Sequence, residues 1–205
     1  MWWIAAGGVL VLAGALYGPI SSNVEHPKYS VVKKDGNIEI CDYPSMIVAE
    51  VDVSGERDPA LNQGFREIAN YIFGNNLSSR KVGMTAPVTQ QASQKIAMTT
   101  PVTQQGDGKN WQVRFIMPAK YTMQTLPKPN NPSVKLKEID SEMFAVIRFS
   151  GLAGKASLDR HTKELEAYLR SNNMKALGAP TYAFYNPPWT LPFLRRNEIM
   201  IEVAR

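Results

Sequence analysis

Cysteine and histidine are nearly missing from this sequence, and so is any strong charge of one sign. The single Cys41 excludes an internal disulfide and a cysteine cage for a metal. Two histidines, His26 and His161, are too few for a multi-histidine metal site. Lys and Arg total 23 against 18 Asp and Glu, a net charge of +5. No basic cluster interleaves with aromatics, so no nucleic-acid partner is expected. The chain also lacks a Gly-x-Ser-x-Gly elbow, an HExxH pair, a phosphate-binding glycine loop and any nucleophile–base spacing, and it is not expected to be an enzyme. What remains is 205 residues, 44% of them hydrophobic, enough for one large domain or two small ones.

One long apolar run is present. Trp2 to Ile20 carries no charge, and as a helix it would measure about 29 Å, close to a bilayer core. Trp2, Trp3 and Tyr17 lie near its ends, where interfacial aromatics belong. No Lys or Arg opens the run, unlike a cleaved signal peptide, although Ala13-Gly14-Ala15 offers a cleavage site. Residues 1–24 therefore read as a membrane anchor or signal segment, and 25–205 as the folded domain. This predicts membrane attachment through residues 2–20 with the domain facing the periplasm or exterior, or a periplasmic or secreted protein if the segment is cleaved.

From Tyr29 onward strand and helix periods alternate. Asp35-Gly36 marks a hairpin turn. Ile47, Ala49, Val51 and Val53 share one strand face. Asp58 and Pro59 read as the cap and first residue of a helix, followed by Leu61, Phe65, Ile68 and Ile72 on one stripe and ended by Gly74. A second helix spans 157–171, with Leu158, Leu165 and Leu169 on one face. The halves repeat each other: IVAEVDVSG (47–55) lies over MFAVIRFSG (143–151), and EIANYIFGNN (67–76) over ELEAYLRSNN (164–173). The fold class is therefore α+β, a duplicated strand–helix–strand unit with a pseudo-twofold. A shorter repetition, VGMTAPVTQQ (82–91) and IAMTTPVTQQ (96–105), reads as strand at an edge or bulge, because Pro87 and Pro101 cannot donate to a ladder. Only one copy is expected in the sheet, and deletion of residues 82–95 is expected to be tolerated.

Several segments, in order, carry a resemblance: KIAMTTPV (95–102), WQVRFIMP (111–118), YTMQTLPKPNNPSVKL (121–136), VIRFSG (146–151) and YNPPWTLPFLRRNEIMIEV (185–203). Together they resemble the SOUL heme-binding protein family over about residues 30–203. The resemblance implies a distorted antiparallel β-barrel carrying two helices, and binding of heme or other tetrapyrroles. In the family a histidine has been suggested as an iron ligand in the motif that here reads EICDYP (39–44), where this chain has Asp42. The resemblance thus implies the family's other mode, apolar contact with the ring and basic groups for the propionates. A looser likeness in fold to effector-binding domains implies the alternative, a module for another small, cationic ligand centred on Glu198.

For heme, a flat apolar disc with two carboxylates, the expected slot is Phe65, Ala69, Ile72, Met84 and Met98, with Arg66, Arg114 and Lys120 available to the propionates. His161, on the second helix's apolar stripe, reads as a packed boundary residue, and His26, beside the apolar run, as a still poorer ligand. The iron is expected to lack a protein imidazole. Glu198, among apolar neighbours, is expected to pair with a nearby arginine. The pattern gives no oligomeric state.

Overall fold

A tight hairpin opens the folded domain, where Gly36 takes the positive φ (59°) that its lack of a Cβ permits. The computed structural model describes residues 25–78, 93–187 and 189–205. Strands β1 (Ser30–Asp35) and β2 (Ile38–Tyr43) pair with Asp35 opposite Ile38, so the loop residues are Gly36 and Asn37, one position later than expected. In β3 (Met46–Ser54), Ala49, Val51 and Val53 are buried on one face and Ile47 packs with them, as the alternation requires. Helix α1 (Arg57–Ile72) begins before the expected cap: Glu56 is the N-cap, without a side-chain cap bond. Asp58 instead occupies the first turn, where its charge suits the helix dipole.

The buried stripe of α1 is Ala60, Gly64, Ile68, Ala69, Tyr71 and Ile72. Leu61 is only partly buried, and Phe65, at the stripe's edge, is 38% exposed. Gly64 sets the close approach of helix to sheet, since a Cβ there would lie 2.6 Å from Val113 Cγ2 and 3.1 Å from Val51 Cγ2. Gly64→Ala is expected to cost about 1 to 2 kcal/mol, overpacking outweighing the helix propensity gained. Urea unfolding reads this directly, and an unchanged or higher midpoint would show that the sheet yields.

The remaining elements are β4 (Asn76–Leu77), β5 (Val102–Gly106), β6 (Asn110–Ile116), β7 (Lys128–Pro129), β8 (Lys135–Ile139), β9 (Glu142–Phe149), α2 (Lys155–Ser171), β10 (Thr181–Phe184) and β11 (Asn197–Val203). β4 pairs with β7 apart from the main sheet. The main sheet has nine strands in the order β1-β2-β9-β11-β10-β5-β6-β3-β8, every neighbouring pair antiparallel. Read outward from the central β5–β10 pair, β6 answers β11, β3 answers β9 and β8 answers β2. α1 packs on β3 and β6, and α2 on their counterparts β9 and β11. The duplicated sequence is thus a pseudo-twofold in space, and the curled sheet forms a half-barrel carrying two helices.

One core lies under each helix. The first gathers Val51, Val113, Phe115 and Ile68; the second gathers Ile147, Ile199, Leu158 and Leu165. Tyr182 packs against both. A third, smaller cluster on the face away from the helices holds Cys41, Tyr43, Val146, Ala183, Tyr185 and Met200.

The tandem phrase is described in its second copy only; residues 82–91 lie outside the described residues. Ile96 is buried in the first core, and its N–H donates to the Ile72 carbonyl at the end of α1. Strand structure starts at Val102, after Pro101, rather than running through Met98 and Thr100.

The membrane-anchored localisation expected from residues 2–20 is corrected. Among the described residues no helix is long and apolar enough to cross a membrane. α1 and α2 are amphipathic, and each carries charged residues on the face away from the sheet. The anchor segment itself lies outside the described residues.

Candidate functional site

The expected slot residues fall into two groups. Phe65, Ala69 and Ile72 lie together on α1, with Phe65 against Phe115 at 5.3 Å between ring centroids. Arg66 is exposed on the same helix, and Met98 packs against the core beneath it. Ala69 and Ile72 are 7% and 0% exposed, so their side chains already serve the core. Met84 lies outside the described residues. Arg114 is not with this group: Val113 and Phe115 face α1, so Arg114 points to the opposite face, where its Nε donates to Glu50 Oε2 at 2.8 Å.

On that opposite face Glu198 is 2% exposed and closed by its neighbours. Its Oε1 accepts from Arg148 Nε at 3.0 Å and Arg196 Nε at 2.8 Å, and its Oε2 from Tyr185 O–H at 2.7 Å. The Arg196 guanidinium also lies 3.9 Å from the Tyr185 ring centre, and both arginines donate to Tyr29 Oη at 3.2 Å. The expected arginine partner is present, joined by a second one brought by strand pairing. This geometry leaves no open side for a cationic ligand. Burial, with Glu198 and Tyr43 adding, pushes the Tyr185 hydroxyl well above its ordinary range, so it stays a donor. Burial likewise pushes the Cys41 thiol up to about 11, with Glu39 and Glu198 adding. A neutral thiol is no nucleophile. His161 lies on the helix side, stacked on Phe149 at 4.0 Å with Nδ1 donating to the Ser157 carbonyl at 2.8 Å.

A cavity of ≈ 490 Å³ opens at one end of the half-barrel. Its floor comes from Met46 and Ile47 at the start of β3 and from Ile116 and Met117 where β6 ends. Its walls are the β2–β3 turn (Pro44, Ser45), the loop from Pro118 to Gln124, and the strap of residues 25–28. The strap is tied down: Thr100 N–H donates to the Glu25 carbonyl at 3.1 Å, and Ala119 N–H to the Glu25 carboxylate at 2.8 Å. Thr100 Oγ1 also bonds His26 Nδ1 at 2.7 Å.

Apolar side chains dominate the lining, with Tyr121 and three methionines, Met46, Met117 and Met123. One lysine, Lys28, lines the cavity; Lys120, between the lining residues Ala119 and Tyr121, lies 5.2 Å over the Tyr121 ring. Glu25 and Glu138 add two exposed acids. Asp42 is next door, in a shallower depression that shares Lys28 and Pro44, and is paired with Arg205 at 2.9 Å. Of the described residues picked out from sequence as ring contacts, Phe65, Ala69, Ile72 and Met98, none lines this cavity. The signal was there in the apolar residues of IMP (116–118), which starts on the last residue of β6 and runs off the strand, and of YTM (121–123), which lies in the loop beyond it.

Comparison with known proteins agrees with this architecture. The chain is 28% identical over 151 residues to mouse Heme-binding protein 1, covering 72% of this chain and 73% of the relative. It is 26% identical over 191 residues to Heme-binding protein 1 of Xenopus laevis, covering 92% and 95%. Among solved structures, the EcmrR C-terminal domain superposes with a TM-score of 0.60 at 11% identity, over 86% of this chain and 98% of that one. A hydrolase from Listeria innocua gives 0.55 at 15% identity, over 84% and 94%. At such identities the structural likenesses speak for the fold alone. The model of the SOUL heme-binding proteins matches residues 24–202, and the chain belongs to that family.

Proposed function

We propose that this protein binds heme or a related tetrapyrrole without transforming it, and that the ring enters the cavity at the β3–β6 end. Family membership and the relatives named Heme-binding protein 1 support the ligand class and the non-catalytic reading. The observation that carries the site is the cavity itself. Its ≈ 490 Å³ lies within the range of about 300 to 1,000 Å³ usual for small-molecule sites. Apolar walls suit the ring, and Lys28 and Lys120 suit carboxylates at its edge. Those lysines are exposed, so added salt is expected to weaken binding.

A second arrangement lays the ring along α1, over Phe65 and Ala69 beside Arg66, with Ile72 and Met98 behind and Arg114 serving only from the other face. The exposure of Phe65 (38%) and Phe73 (58%) favours it. Absorbance titration separates the two. Ala119→Trp, at an exposed lining residue, fills the cavity and is expected to weaken heme at least about tenfold. Phe65→Asp is expected to leave the affinity within about twofold. The reverse pattern moves the ring to α1. A wild type whose addition never shifts the heme Soret band removes the proposal altogether.

A further inference from the structure

We propose that His26 is the axial ligand of the iron in the bound tetrapyrrole; this rests on the cavity reading above. His26, exposed on the strap, lines the same open cavity as the apolar floor. Its Nδ1 is engaged by Thr100 Oγ1 at 2.7 Å, while Nε2 has no hydrogen-bond partner among the described residues. That division is what a metal-binding imidazole needs. One nitrogen is held by an outer partner that fixes the ring's orientation, and the other is left with its lone pair free.

The imidazole is also placed by its neighbours. Glu25, just before it, is tied to Thr100 and Ala119 through its carbonyl and its carboxylate. Pro27, just after it, fixes the backbone φ. His26 therefore sits on an anchored strap, with its ring 6.0 Å from that of Tyr185. The other histidine lies elsewhere, away from the cavity. His161 Nδ1 donates to its own helix, its ring is stacked on Phe149, and α2 belongs to the other half of the sheet. Met46, Met117 and Met123 line the same cavity and would present soft thioether sulfurs to a bound ring. This reverses the expectation of an iron without protein imidazole, which judged His26 by its place in sequence beside the apolar run rather than by what the strap folds against.

A coordination bond distinguishes heme from the same ring without iron, whereas a histidine with a merely structural role does not. The test titrates the full chain with heme and with iron-free protoporphyrin, in wild type, His26→Ala and Ala119→Trp. Wild type is expected to favour heme by more than about tenfold, and His26→Ala to bring that ratio to about one while protoporphyrin affinity holds. Added imidazole should restore the histidine-type absorption spectrum to His26→Ala. A ratio near one in wild type, or one that His26→Ala leaves unchanged, overturns the ligation. If both porphyrins bind equally and Ala119→Trp expels both, the cavity reading stands and His26 ligation falls. If neither binds, the cavity reading fails, and the ligation with it.

Discussion

Glu198→Ala is expected to destabilise the protein by about 3 kcal/mol while leaving heme affinity unchanged. The carboxylate is almost fully buried and balances two guanidinium groups, so its removal strands charge and a donor hydroxyl together. Breaking a buried ion pair from one side costs about 3 to 5 kcal/mol. Here the lower end applies, because the Arg148 and Arg196 side chains are 41% and 31% exposed and water offsets part of the loss. Glu198→Gln keeps an acceptor for Tyr185 and should cost less. Denaturant unfolding of the two variants, alongside heme titration, checks both halves of the statement. A stable Glu198→Ala protein that loses its ligand would restore the effector-type reading, in which Glu198 itself meets a small cation.

The same network carries a pH signature through Glu39. Its carboxyl is held below the ordinary 4.5, first by the hydrogen bond from Lys34 and then by the charge of Arg148, against the opposing effect of burial. A depressed carboxyl stabilises the fold above its unfolded pKa, and that contribution is lost as pH falls through the folded value. Stability should therefore decline in the acid range below about 4.5 and more shallowly in Glu39→Gln.

Asn76→Ala is expected to cost a comparable amount, about 3 kcal/mol. Asn76 is 2% exposed and serves as a clasp. Its amide donates to the Tyr71 and Gln94 carbonyls, both at 2.8 Å, and its Oδ1 accepts the Gln94 N–H at 3.0 Å. Each bond contributes about 1 kcal/mol, and buried groups left without partners forfeit their solvation as well. Thermal or urea unfolding reads the loss, and a cost under about 1 kcal/mol would show that water replaces the clasp. Deletion of residues 82–95 takes away Gln94, so a cost of this size is expected from it, within the few kcal/mol that the repetition allows.

The symmetry of the fold was legible because duplication leaves matched words in matched places. The 96-residue offset between the words at 47–55 and 143–151 becomes β3 and β9 at equivalent positions of the sheet. The alternation of Ile47, Ala49, Val51 and Val53 gave the buried face of β3 directly. Periodicity was less informative on α1. It gave a helix, but whether Phe65 or Gly64 faces the sheet depends on how close the sheet comes, which Val113 and Val51 decide. The run RRNE hinted at the Glu198–Arg196 pair, whereas Arg148 and Tyr29 reach that carboxylate and its arginines only through tertiary structure.

The cavity was the least legible feature. It is assembled from the strap at 25–28, the turn at 44–45, two strand ends and the loop at 118–124, none of which shares a period with another. His26 joined that site through its bond to Thr100, a residue 74 positions away.

The central claim, that the ring occupies this cavity, is tested most directly by the methionine methyl groups. In a protein carrying ¹³C-methyl methionine, iron-free protoporphyrin should shift the methyl resonances of Met46, Met117 and Met123 through the ring current of the bound macrocycle. Met98, packed against the core under α1, should stay where it is. A shift of Met98 with the three cavity methionines unmoved would place the ring on α1 and contradict the account.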